Sequence, residues 1–87
     1  MHKKNTIMDT KKEILENVKR YFVSCEISID GVDQDSNLYN DLCLRKAEFE
    51  DFVLFLEQRY SIIIPVKTIR KWETLGDVIN TVRSLSL

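Results

Sequence analysis

The sequence predicts an all-α domain: a four-helix bundle with a long loop between the first and second helices and a short third helix. Three observations predict it. The 87 residues include only two Gly and one Pro, too few for the turns of an all-β domain of this size. Apolar residues recur at the 3, 4, 7 spacing of a helix in three separate stretches. The one strand-like stretch, Ile27-Ser28-Ile29-Asp30-Gly31-Val32, has no second of comparable length to pair with. A lone strand would leave its backbone groups unpaired.

The first helix is expected from Asp9 to about Cys25. Asp9 or Thr10 can cap it, and Thr10 has Glu13 three residues on, the pattern of a capping box. Ile14, Leu15, Val18, Tyr21, Phe22 and Cys25 form its apolar stripe. From Glu26 to Arg45 the periodicity lapses into turn and cap formers, Asp30-Gly31, Asp33, Asp35-Ser36-Asn37 and Asn40-Asp41. Leu38, Tyr39, Leu42 and Leu44 are expected to anchor this loop in the core. The second helix should run from Lys46 to Tyr60, with Phe49, Phe52, Val53, Leu56 and Tyr60 as its stripe and Phe55 beside it. Its acids, Glu48, Glu50, Asp51 and Glu57, gather toward the start, where the macrodipole favours them.

Ile62-Ile63-Ile64 breaks the second helix, and Pro65 pushes Ile64 out of the α region. Pro65 suits the first turn of a short third helix through about Lys71. Thr74, with Asp77 three on, caps a fourth helix whose apolar face is Leu75, Val78, Ile79, Val82 and Leu85. The first, second and fourth helices should carry the core. Residues 1–8 are expected to be a flexible N-terminus and 9–87 the domain.

Composition narrows the classes. Thirteen Lys and Arg against fourteen Asp and Glu give a net charge of −1, and 44% of residues are hydrophobic. That excludes collagenous, disordered and supercharged chains, and any field strong enough to draw the molecule onto nucleic acid or an anionic membrane. Cys25 and Cys43 do not make a disulfide framework. His2 is the only His and there is no CxxC pair, so no metal site is expected. The longest apolar run, 62–66, is too short to span a bilayer. Met1 to Met8 is basic with no long apolar region after it, unlike a signal peptide. The expectation is a reduced, cytoplasmic, monomeric protein. No nucleophile–base pair, carboxylate dyad or Gly-rich phosphate loop marks an enzyme.

The run Asp41-Leu42-Cys43-Leu44-Arg45-Lys46-Ala47-Glu48 and the run Leu56-Glu57-Gln58-Arg59-Tyr60-Ser61-Ile62-Ile63-Ile64-Pro65 carry a resemblance. So does Trp72-Glu73-Thr74-Leu75-Gly76-Asp77. Together they resemble the acyl carrier proteins, which read roughly Asp-Leu-Gly-x-Asp-Ser-Leu-Asp, then Leu-Glu-x-x-Phe-x-Ile-x-Ile-Pro, then Thr-Val-Gly-Asp. The match is ungapped from Asp41 to Pro65 and covers essentially the chain after Met8. It implies an acyl-carrier-protein-like four-helix bundle.

The resemblance fails at the chemistry. The family esterifies a Ser at the start of the second helix with phosphopantetheine, whose thiol carries acyl, peptidyl or aminoacyl groups. Lys46 stands at that position, Arg45 at the preceding Asp, Ala47 at the following Leu and Cys43 at the Gly. A phosphodiester needs a hydroxyl oxygen, and Lys46 has none. Asp35-Ser36 reads Asp-Ser but falls early, in the loop. No cofactor is therefore expected, although the family implies phosphopantetheine. Phe49 and Phe55, where the family often keeps small residues, are candidates for filling its acyl cavity. Cys43 reads as a semi-buried loop residue, with a reactive thiol as the alternative.

The expectation that follows is a non-carrying docking or regulatory module linked to acyl-chain or related biosynthesis. It would meet a protein partner, a biosynthetic enzyme, through Arg45, Lys46, Glu48, Glu50, Asp51, Leu54 and Glu57. In the family the matching acidic face meets basic patches, and Leu54 matches an exposed apolar residue shown to partners. The rival is a working acyl or aminoacyl carrier modified at a non-standard site. A distant third is nucleic-acid binding through Lys67, Arg70, Lys71 and Trp72. Three cations on one short helix are weak support for it, and no nucleic-acid or membrane partner is expected.

Overall fold

Thr10 starts the first helix by the predicted exchange. Its Oγ1 accepts the Glu13 N–H at 3.2 Å, and Glu13 Oε1 accepts the Thr10 N–H at 2.8 Å. The computed structural model describes residues 10–86. The expectations for a flexible N-terminus and for Asp9 as a cap lie outside the described residues.

Helix α1 spans Lys11–Ser24 and buries Ile14, Val18 and Phe22 along one stripe. Cys25, expected on that stripe, is instead the C-cap and is exposed. The helix stops before it, so its side chain no longer follows the helical period. Glu26, at φ +62°, then turns the chain.

The long loop contains no strand, only an isolated bridge between Asn37 and Thr74. Val32, Leu38 and Leu42 are buried and Leu44 is half-buried. Tyr39, expected to be an anchor, is 51% exposed. Its ring lies at the rim because its hydroxyl donates to the Trp72 carbonyl at 3.2 Å, which holds the polar tip at the surface.

The loop docks on the start of the last helix by three backbone bonds. Leu38 N–H donates to the Glu73 carbonyl at 2.8 Å, Leu75 N–H to Ser36 at 3.0 Å and Gly76 N–H to Gln34 at 2.7 Å. A Cβ on Gly76 would stand 3.0 Å from the Gln34 carbonyl oxygen, a backbone atom held by this seam. Gly76→Ala would gain up to about 1 kcal/mol in helix propensity, but crowding of this kind costs about 1–3 kcal/mol. A net loss of about 1 kcal/mol is expected, read as a Tm fall of about 4–8 °C; an unchanged or higher Tm would show that the seam yields freely.

Helix α2 spans Lys46–Tyr60, as the periodicity predicts, and buries Phe52 and Leu56. Asn17 Nδ2 donates to the Tyr60 hydroxyl at 2.9 Å, tying α2 to α1. Ser61, at φ +55°, ends the helix. Glu57 Oε2 then accepts the Ile64 N–H at 2.8 Å, so the turn buries Ile64 and leaves Ile63 84% exposed.

Helix α3 is the single turn Val66–Ile69, with Pro65 at its N-cap instead of inside its first turn. Helix α4 spans Leu75–Ser86 and buries Leu75, Val78, Ile79 and Val82. Leu85, expected on that face, is 41% exposed. It sits in the last turn and lines a shallow cleft with Pro65 and Thr68. Trp72, expected beside a basic surface patch, is a core residue, 2% exposed. Its Nε1–H donates to Thr81 Oγ1 at 2.9 Å.

Thr74 and Asp77 start α4 reciprocally. Thr74 Oγ1 accepts the Asp77 N–H, while Asp77 Oδ2 accepts the N–H groups of Thr74 and Glu73 at 3.0 and 2.8 Å. The Thr74 and Glu73 amides hold the Asp77 carboxyl below its ordinary value. A depressed folded value stabilises above the unfolded value, about 3.9, and is lost as pH falls through the folded one. Asp77→Asn should therefore be less stable than the parent at neutral pH. The two denaturation curves should converge in acid, and a gap independent of pH would remove the carboxylate from the account.

Packing joins α1 and α2 each to α4, and loop residues Val32, Leu38 and Leu42 and the indole of Trp72 complete the core. Among the described residues, no helix is long and apolar enough to cross a membrane.

Candidate functional site

The site is the N-terminal end of α2 and the groove that this helix forms with α3. The approach is the segment from Leu42 to Arg45. Leu42 is buried, which fixes the segment in the core, but Cys43 takes a left-handed backbone at φ +52°. That conformation costs a residue with a Cβ about 1–2 kcal/mol. Cys43, expected semi-buried, is exposed, because the left-handed turn carries it outward; its thiol donates to the Asn40 carbonyl at 3.5 Å. Cys43→Gly should stabilise by about 0.5–1 kcal/mol, the relief of strain less the added entropy of the unfolded chain. Urea unfolding checks it, and a loss of stability would show that the thiol contact outweighs the strain.

Arg45 is the N-cap, in extended backbone. Glu48 Oε1 accepts the Arg45 N–H at 2.9 Å, and the Arg45 guanidinium Nε lies 3.6 Å from the same oxygen. Arg45 has only donors, so it cannot return a cap bond to the helix. The box is half formed, and the ion pair contributes little because the Arg45 side chain is 85% exposed. Lys46 follows as the first helical residue, exposed, with no hydroxyl.

Lys46 also lines an open, mainly apolar groove of about 560 Å³, with Phe49, Glu50, Val53, Leu54 and Ile69. Phe49 forms its inner wall. Its ring meets the Trp72 edge at 6.2 Å and the Tyr39 ring at 6.3 Å. Phe55 lies elsewhere, stacked on Tyr21 of α1 at 4.3 Å, in a cluster with Phe22 and Phe52. The two Phe rings expected to fill one space therefore stand on different sides of α2. Leu54 is 54% exposed at the groove.

The four acids of α2 fall on two sides of the helix, Glu48 with Asp51 three residues apart and Glu50 with Glu57 seven apart. Glu50 lines the groove. Asp51 and Glu48 are close enough to Tyr21 to act on its hydroxyl, which is pushed up to about 12 by burial first, then by Cys25, Asp51 and Glu48. Glu48 and Glu57 are further engaged by the backbone amides of Arg45 and Ile64. On α3 and just after it, Lys67, Arg70 and Lys71 are exposed. Among the described residues, the single ion pair is Arg45 with Glu48, so these cations form none there. Sequence reasoning missed Ile69 as a groove wall and Ile63 as an exposed apolar residue. The i, i+3 pair Val66 and Ile69 was the available signal.

No family model matches the chain. An acyl carrier protein of Lactobacillus acidophilus is similar, at 26% identity over 76 residues, which is 86% of this chain and 95% of that protein. With its four helices and long first loop, this chain is acyl-carrier-protein-like.

Proposed function

We propose that this acyl-carrier-protein-like domain carries no phosphopantetheine at the start of α2 and serves as a non-catalytic docking module in acyl-chain or related biosynthesis. One observation carries the reading: Lys46 is the first residue of α2, where the acyl carrier pattern has its esterified Ser. The residues there do not fit the arm. Arg45, Lys46 and Ala47 offer two cations and a methyl group, and a phosphodiester requires a hydroxyl oxygen. A cation in the first turn also opposes the helix macrodipole, at a cost of about 0.3–1 kcal/mol. A partner surface is a reason for a helix to keep it.

Intact mass after co-expression with a broad-specificity phosphopantetheinyl transferase tests the reading. The unmodified mass is expected. A stoichiometric arm adduct on the parent chain would overturn it in favour of a working carrier modified elsewhere, the reading that similarity to a protein named acyl carrier protein favours.

A further inference from the structure

We propose that the cleft between the start of α1 and the last turns of α4 binds a phosphate monoester, whose organic part lies across α4 toward α3. None of its lining residues belongs to α2 or lines the α2–α3 groove, so the inference stands apart from the docking reading.

Lys11 of α1 and Asn80, Arg83 and Ser84 of α4 line this cleft of about 350 Å³. The 3, 4 spacing puts the three α4 residues on one side of that helix, and α1 packs against α4 so that its first residue meets them. Both full charges in the lining are positive, and no carboxylate of the described residues joins them. Neither cation is ion-paired among the described residues. The neighbours do not reverse the sign. Glu13 and Glu16 share a separate cleft with the more numerous cations Lys12, Arg20 and Arg59. On α4 the acid Asp77 lies six residues before Arg83, about 9 Å along the axis. The positive end of α1 and the negative end of α4 meet here and offset each other, which leaves the side chains to decide.

The donor set selects the anion. Arg83 offers a planar fork and Lys11 a point charge, two charges for a phosphate dianion where a carboxylate needs one. Asn80 and Ser84 add an amide and a hydroxyl, both exposed and free of other side-chain bonds among the described residues. Thr81 is not available, because its hydroxyl donates to the Asp77 carbonyl and accepts the Trp72 indole. Asn80 and Ser84 also border a second cleft, of about 430 Å³, with Pro65, Thr68 and Leu85. Leu85 is 41% exposed there. Carbon next to the phosphate therefore crosses the small residues Asn80 and Ser84 and reaches an apolar wall, which a bare inorganic anion cannot use.

The test follows backbone amide shifts of the full chain during titration with butyl phosphate, inorganic phosphate and butyrate, at an ionic strength held constant with chloride. Butyl phosphate should move the amides of Lys11, Asn80, Arg83 and Ser84 saturably. It should bind more tightly than inorganic phosphate, which lacks the apolar part, and than butyrate, which lacks the second charge. Lys11→Gln with Arg83→Gln should weaken butyl phosphate at least about tenfold. Both side chains are exposed and unpaired among the described residues, so the fold should survive. Lys67→Gln with Arg70→Gln removes the same charge elsewhere and should leave the affinity unchanged. Leu85→Ser should weaken butyl phosphate and spare inorganic phosphate. No saturable shift, shifts centred on Lys67 and Arg70, equal losses in the two double variants, or butyrate binding as tightly as butyl phosphate would each overturn the proposal. A phosphopantetheine adduct sinks the docking reading and leaves this one standing.

Discussion

The triple variant Arg45→Asp, Lys46→Ser and Ala47→Leu should acquire the phosphopantetheine arm under conditions that leave the parent chain unmodified. The expected change is from no adduct to a majority adduct by intact mass. The reasoning is local. Lys46 is exposed at the first position of α2, so a hydroxyl placed there is open to an incoming transferase. The Asp supplies the acceptor that Arg45 lacks and completes a cap with the helix amides, a gain of about 1 kcal/mol. It also exchanges a cation for an anion at the positive end of the macrodipole, a further 0.3–1 kcal/mol or so. The variant should therefore be at least as stable as the parent, and failure to fold is not the expected obstacle. Loss of the ion pair to Glu48 matters little, since that pair is largely in water. A folded variant that takes no arm would mean that positions 45–47 are not the only features excluding the transferase. Attention would then move to the cations of α3, Lys67, Arg70 and Lys71.

Most of the fold was legible because the helix signals here are local. The Thr10–Glu13 box and the Thr74–Asp77 box are both formed as read, since a cap depends on residues three apart. Lys46–Tyr60 was legible because a long periodic stripe lies between a turn-rich loop and a β-branched breaker. The site was less legible because it depends on non-local geometry. A run of one turn has no period, so nothing local assigned Trp72 to the core; its burial comes from Thr81 and Phe49, which reach it from α4 and α2. The acids of α2 read as one face from their early clustering. The helical period instead splits them between two sides, Glu48 with Asp51 and Glu50 with Glu57, and Glu57 is further taken up by the Ile64 amide from outside the helix. Lys46 was legible as a departure from the acyl carrier pattern, but its groove was not, because Ile69 contributes a wall from another element.

Trp72→Ala is expected to be the most damaging single change, at about 3–5 kcal/mol, the range for removing a large buried aromatic. A domain of this length has a total stability of about 4–13 kcal/mol, so the variant should be partly unfolded near body temperature. Three losses combine. The indole is 2% exposed, and nothing else fills its volume. Its Nε1–H bond to Thr81 disappears, although Thr81 Oγ1 keeps its own bond to the Asp77 carbonyl at 3.0 Å; this part is worth only about 1 kcal/mol. The edge contact with Phe49 goes too, so the inner wall of the α2–α3 groove loses its support. Trp72→Phe separates these effects. It keeps much of the volume but not the indole donor, and should cost only about 1–2 kcal/mol. Urea midpoints at unchanged slope would give the two costs. A Trp72→Ala cost below about 1 kcal/mol would place the indole outside the core and return it to the surface patch that the sequence suggested. If Trp72→Phe is much the milder variant, the volume of the ring outweighs the indole's hydrogen bond in holding the core.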